Sequence, residues 1–124
     1  MRNRLLSLLL LSLYGSMLFA QEPLDINDVE RVPLGDFTYQ WRNIYDRTPL
    51  HGKCRIILSY RSYTIAHFNK DGILDGLYEK YEDNHLVQKL TYVKGILRGK
   101  GYEYYTDGTV KKECVWNEQG KIDG

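Results

Sequence analysis

From residue 50 onward one short phrase returns four times. Leu50-His51-Gly52, Leu74-Asp75-Gly76, Leu97-Arg98-Gly99 and Ile122-Asp123-Gly124 share the form apolar-x-Gly, with glycines 24, 23 and 25 residues apart. A second glycine stands four residues before three of them, at Gly72, Gly95 and Gly120, giving GILDG, GILRG and GKIDG. Apolar positions keep step with the glycines. Five residues after the leading glycine come Ile57, Tyr81 and Tyr104; eleven after come Tyr63, Val87 and Val110; sixteen after come Phe68, Tyr92 and Val115. A fixed period of this length implies stacked units, none of which can bury its apolar face alone.

Each unit holds two runs of about seven residues with β-branched and aromatic content, such as LYEKYE then LVQKLTYV, or GYEYY then TVKKECVW. Turn residues separate the runs: Asp83-Asn84-His85 in one unit, Thr106-Asp107-Gly108 in the next. Asp-Gly suits a hairpin because its positive-φ positions match the strand twist. Arg61 and His85 take the place of that glycine in the other two units, which predicts looser turns there. Lys70-Asp71-Gly72, Lys94-Gly95 and Gln119-Gly120 supply the reversals between units. The expectation is an all-β chain, an elongated single-layer antiparallel meander of tandem hairpins. A closed or partly closed small barrel is the competing fold.

These residues resemble the MORN repeats, and specifically the bacterial MORN-variant repeat. Gly99, Tyr104, Tyr105, Gly108, Trp116, Asn117, Gly120 and Gly124 fit that unit, with one residue inserted before Gly120. Gly76, Tyr81, Tyr92, Gly95 and Gly99 fit it as well, without the turn glycine at His85. The first unit keeps only Gly52, Phe68, Asp71, Gly72 and Gly76. The resemblance covers residues 50–124, as three repeats and the start of a fourth. It implies a twisted sheet used for protein or surface interaction, with no general catalytic role. Some relatives are labelled antitoxin-like.

The chain opens on Met1-Arg2-Asn3-Arg4 and an apolar stretch from Leu5 to about Leu13, the layout of a secretory signal peptide ending at Ala20. The apolar run is shorter than the ~20 residues that span a bilayer, and no Cys follows the cleavage point. This predicts an exported chain, periplasmic or extracellular, not lipid-anchored and without stable membrane insertion. Removing residues 1–20 leaves 104, with Lys+Arg reduced from 17 to 15 against 16 Asp+Glu. A near-neutral chain excludes bulk phosphate attraction, so no nucleic-acid partner is expected. Residues 21–49 read as an acidic linker or extended arm to residue 36, then irregular strands bearing Phe37, Tyr39, Trp41, Ile44 and Tyr45 before Pro49.

Catalytic patterns are missing from the sequence. Ser59 and Ser62, the only serines after the leader, lack a nucleophile-elbow context. His51, His67 and His85 have no metal-ligand spacing, and Asp71-Gly72 and Asp107-Gly108 lack the alternating acids of a calcium loop. Glu79, Glu82, Asp83, Glu103 and Glu113 read as cross-strand ion-pair partners of Lys80, Lys89, Lys111 and Lys112 rather than as an acid–base pair. No cofactor is expected and no enzyme. The tyrosines remain. Tyr78, Tyr81, Tyr102, Tyr104 and Tyr105 recur at matched strand positions, with Tyr92 and Trp116 on the return strands. They make cross-strand ladders, and part of that surface is the candidate interaction strip. Period 2 sends Tyr104 and Tyr105 to opposite faces.

The expected function is a non-catalytic protein-interaction module of the bacterial envelope. An envelope glycan or peptidoglycan bound through a Tyr/Trp face is the alternative, and a small hydrolase a distant one. The C-terminal edge is expected to self-associate or to receive a partner strand. Cys54 and Cys114 fall five strands apart in a plain meander. At about 4.8 Å per strand this is roughly 24 Å, against the ~7 Å limit for a disulfide.

Overall fold

A computed structural model describes residues 22–123 of the chain. The expected signal peptide and Gly124 lie outside the described residues. The fold is all-β, with a single turn of 3-10 helix at Ile26–Asp28. Ten strands follow one another: β1 (Leu24–Asp25), β2 (Val29–Gly35), β3 (Thr38–Asn43), β4 (Gly52–Ser59), β5 (Ser62–Phe68), β6 (Leu74–Glu82), β7 (His85–Val93), β8 (Ile96–Leu97), β9 (Gly99–Tyr104) and β10 (Val110–Trp116).

The main sheet runs β1-β4-β5-β6-β7-β9-β10, with β8 also on β7, while β2 and β3 make a separate hairpin. Only the β1–β4 pairing is parallel; the others are antiparallel hairpin pairings and their continuation. β1 and β10 stand at opposite ends of that order, so the sheet is open and the barrel alternative is corrected.

The turns follow from their residues. Asp83 and Asn84 both adopt positive φ, at 49° and 64°, between the paired residues Glu82 and His85. The looser turn expected there is a tight two-residue one, because short Asp and Asn side chains tolerate the left-handed region. Ser59 likewise pairs Ser62 across two residues. The reversals at 69–73 and 117–121 share one geometry. Asn69 Oδ1 accepts the Asp71 and Ile73 amides, and Asn117 Oδ1 accepts those of Gln119 and Lys121. Gly72 and Gly120, at φ 76° and 77°, close both loops.

The reversal glycines also stack. A Cβ on Gly95 would sit 3.0 Å from Cγ2 of Ile73, and one on Gly120 would collide with Cγ2 of Ile96. Gly95 and Gly120 therefore each accept the isoleucine that follows the loop glycine before them.

Two expectations about the N-terminal part are corrected. The expected linker or extended arm is ordered strand over its described part: Leu24–Asp25 pairs with β4 and Val29–Gly35 pairs with β3. The molecule is not a single layer throughout either. Leu50, Cys54, Ile56, Ala66, Phe68 and Leu74 form the buried core, and Leu24, Ile26, Val29 and Trp41 pack on it from the N-terminal segment. The β2–β3 hairpin thus covers one face of the sheet over its first strands. Trp41 clamps it there: its N–H donates to the Gly72 carbonyl at 2.7 Å, its carbonyl accepts from the Leu50 N–H at 2.9 Å, and its ring meets Phe68 at 5.5 Å. The reason is area. A hairpin repeat leaves both faces wet, and an apolar face of this kind gains about 25 cal/mol per Å² when covered.

Candidate functional site

Cross-strand registers sort the side chains onto two faces. Cys54, Ala66, Tyr78 and Leu90 are successive partners, and Gly101 and Cys114 are partners beyond them. A Cβ on Gly101 would lie 2.8 Å from Leu90 Cδ2, which joins the two series into one row. This row is the inner face. Its first half is the core beneath the hairpin. Its second half, past Tyr92, has no layer over it among the described residues. On the outer face, Ile65, Glu79, Lys89, Tyr102 and Glu113 form one row, and Ile57, Tyr63, Tyr81 and Leu86 another.

The predicted strip is therefore split. Tyr78 and Tyr92 lie inside, ring edge to ring face at 5.9 Å. Burial pushes both phenols above their ordinary pKa, with a Thr64 hydrogen bond opposing this at Tyr78 and the neighbouring Tyr78 adding to it at Tyr92. Trp116 is also inside, lying across Gly101, where a Cβ would meet its ring at 2.5 Å. Tyr81 is outside, stacked on Tyr63 at 5.0 Å, with the Arg55 guanidinium 4.1 Å above Tyr63. Tyr102 and Tyr104 stack at 5.9 Å on that outer side. Tyr105, past the end of β9, lines an inner-side groove with Lys80, Gln88 and Lys111. Tyr104 borders the same groove beside Tyr105, so the two are not parted onto separate surfaces.

The uncovered half of the inner face is concave. A groove of about 430 Å³ runs between the hairpin and the sheet, walled by Arg31, Tyr39 and Trp41 on one side and Gly95, Ile96 and Gly120 on the other, over Leu74 and Tyr92. Leu97 leads from it into a pocket of about 220 Å³ formed by Leu90, Gly101, Cys114, Trp116 and Ile122, with Lys112 and Glu103 at its polar side. Arg31 lies flat on the hairpin's aromatics, 5.9 Å from Tyr39 and 5.4 Å from Trp41. Sequence reading placed neither Arg31 nor Leu97 nor Ile122 in a site. The one signal available was Trp41, a large aromatic outside the repeating part.

Among the described residues no three His, Cys, Asp or Glu side chains come together as a metal site. Asp46 and Asp107 are held below the usual carboxylate range by hydrogen bonds from Thr48 and Thr109 within their own turns. The Cys54 thiol donates to the His51 and Gly52 carbonyls, and burial raises its pKa. Neither cysteine is in a disulfide, and they end the same inner-face row, on β4 and β10. No helix among the described residues is long and apolar enough to cross a membrane.

No protein-family model matches the chain, and no curated protein does. Among solved structures it is similar to TarM, at 14% identity and a TM-score of 0.42, over 78% of this chain and 19% of that one. A mutant of S. aureus TarM in complex with Fondaparinux, alpha-GlcNAc-glycerol and UDP is similar at 12% identity and a TM-score of 0.31, over 78% of this chain and 16% of that one. The chain thus spans less than a fifth of TarM, and so loose a likeness carries neither family nor activity.

Proposed function

We propose that this chain is a non-catalytic, exported protein-interaction module built from MORN-variant repeats, and that it binds a protein partner in the envelope through the uncovered half of its inner face. One observation carries the reading. The face that forms the core under the β2–β3 hairpin continues past Tyr92 as an apolar concavity over Leu90, Leu97, Trp116 and Ile122. Aromatic and aliphatic anchors in a desolvated pocket are what protein interfaces use as hot spots. The repeat assignment is supported by the shared loop geometry at Asn69 and Asn117 and by the glycine-on-isoleucine stack.

The test is capture from envelope extract with wild-type chain and two variants, set beside a glycan array. Leu97→Asp places a charge in the concavity and is expected to lose the captured partner. Tyr81→Ala, on the outer face, is expected to keep it. A glycan signal that disappears with Tyr81→Ala, with no protein retained, would replace this reading with the glycan one.

A further inference from the structure

The last hairpin of the sheet repeats the first, and the first shows what its inner face holds. Gly52 pairs Phe68 and Cys54 pairs Ala66 in β4–β5, as Gly99 pairs Trp116 and Gly101 pairs Cys114 in β9–β10. In this alignment the buried core residues Leu50, Cys54, Ile56, Ala66, Phe68 and Leu74 correspond to Leu97, Gly101, Glu103, Cys114, Trp116 and Ile122. All six of the latter line the pocket of about 220 Å³. The core site therefore occurs twice, once filled by the β2–β3 hairpin and once open among the described residues. β3 shows how such a site is filled, because it runs along the row of loop glycines. A Cβ on Gly72 would lie 2.5 Å from the Trp41 carbonyl oxygen and 3.2 Å from Cγ of Gln40, and one on Gly95 3.0 Å from Cγ2 of Thr38. At Gly120 the nearest atoms belong to Ile96 and Leu97 instead. The chain has turned back at Asp36 and Phe37, which wall the groove leading there. The Gly72 carbonyl accepts the Trp41 N–H, whereas the Gly120 carbonyl accepts from no group among the described residues. Glu103 and Lys112 replace Ile56 and Thr64 at the far end of the site. That polar pair suits a face that meets water while nothing covers it.

We infer that the protein partner presents an extended segment with a large aromatic side chain, which takes the place at Trp116 that Trp41 takes at Phe68. Its backbone N–H donates to the Gly120 carbonyl as that of Trp41 does to the Gly72 carbonyl. The segment prolongs the line of β3 past Phe37, so the contact continues one the fold already makes. The inference rests on the interaction reading above and names the kind of partner. A helix does not meet the same demand, because its interior amides bond its own carbonyls and leave none for Gly120.

Selection of phage-displayed random peptides, about twelve residues and so ~40 Å long when extended, on the full chain tests this. Enriched sequences are expected to share one Trp, Tyr or Phe among residues of high strand propensity. A synthetic enriched peptide is expected to bind wild type and to lose at least about tenfold in affinity for Leu97→Asp and for Ile122→Asp. Ile122 is 67% exposed, so its substitution leaves the fold intact if Leu97→Asp does not. N-methylation of the aromatic residue is expected to cost about tenfold through the lost N–H. N-methylation of the next residue, whose amide points the other way in an extended segment, is expected to cost little. A library that yields no binder overturns the inference. Binders without an aromatic anchor, binders with the apolar spacing of a helix, or affinity unchanged by N-methylation at the anchor overturn it too. If those binders are still lost on Leu97→Asp or Ile122→Asp, the inner-face reading stands without the extended segment. Peptides that bind both variants as they bind wild type, and are lost on Tyr81→Ala, would overturn the inference and that reading together.

Discussion

A glycine's meaning depends on which of two demands it meets. Gly108 sits at φ 91° with open space around its Cα, whereas Gly101 has no positive φ but lies under the Trp116 ring. Gly72 meets both demands, at φ 76° with the Trp41 carbonyl oxygen 2.5 Å from where a Cβ would be. Substitution by Ala therefore separates them. Gly108→Ala is expected to cost about 1 kcal/mol, from backbone strain alone. Gly101→Ala is expected to cost about 2 kcal/mol through overpacking against Trp116, and Gly72→Ala about 3 kcal/mol because both penalties act. Urea unfolding of the three variants checks the order. Phe37→Gly should go the other way, gaining about 0.5–1 kcal/mol as turn strain is relieved. The turn glycines could be read from the sequence because a positive φ selects glycine locally. Gly101 could not, since its partner lies in another strand. The cysteines also divide. Burial raises the Cys54 thiol and Cys114 lines an open pocket, so a thiol reagent is expected to label Cys114 first and Cys54 only as the chain unfolds.

The hairpins from β4 to β10 were legible because alternating strands and turn residues at a fixed period leave few other arrangements. The β2–β3 hairpin was not. Its sequence resembles a linker, with Pro33 and scattered acids, and what orders it is a long-range contact between Trp41 and the Gly72 loop. Trp41→Ala is expected to destabilise the chain by about 3 kcal/mol, and hydrogen exchange should show β2 and β3 amides opening before those of β5 and β6. Tyr63→Ala, on the wet outer face, should cost about 1 kcal/mol or less. The β6–β7 pair gives a pH prediction. Tyr78 and Tyr92 have phenols raised above 10.0 by burial. The unfolded phenols ionise first as pH rises, so the unfolded chain holds fewer protons and stability falls above about pH 10. Below that value the contribution is complete, and denaturant midpoints measured across the alkaline range should show the decline. At the β10 edge, a register shift at Val110/Lys112 and the exposed Lys111 and Lys112 are devices that discourage strand addition. This favours contacts through the faces over contacts through the edge.

At the scale of the whole molecule, the sheet is covered over one half and, among the described residues, bare over the other. The repeat was visible in the sequence, and so was the aromatic excess. The division of those aromatics between faces was not, because it depends on register, and a one-residue shift moves a side chain across the sheet. Tyr78, Tyr92 and Trp116 share the inner face with the core, while Tyr81 and Tyr102 stand outside it. The interaction account needs the inner half to be where a partner sits. The most direct measurement is an NMR titration of the isotope-labelled chain with the protein captured from envelope extract, following the Leu methyls, the Trp indoles and the Tyr rings together. The account predicts shifts at Leu90, Leu97 and Trp116, with Tyr63, Tyr81 and Tyr102 unmoved. Shifts confined to those outer-face tyrosines, with the Trp116 indole unmoved, would contradict it.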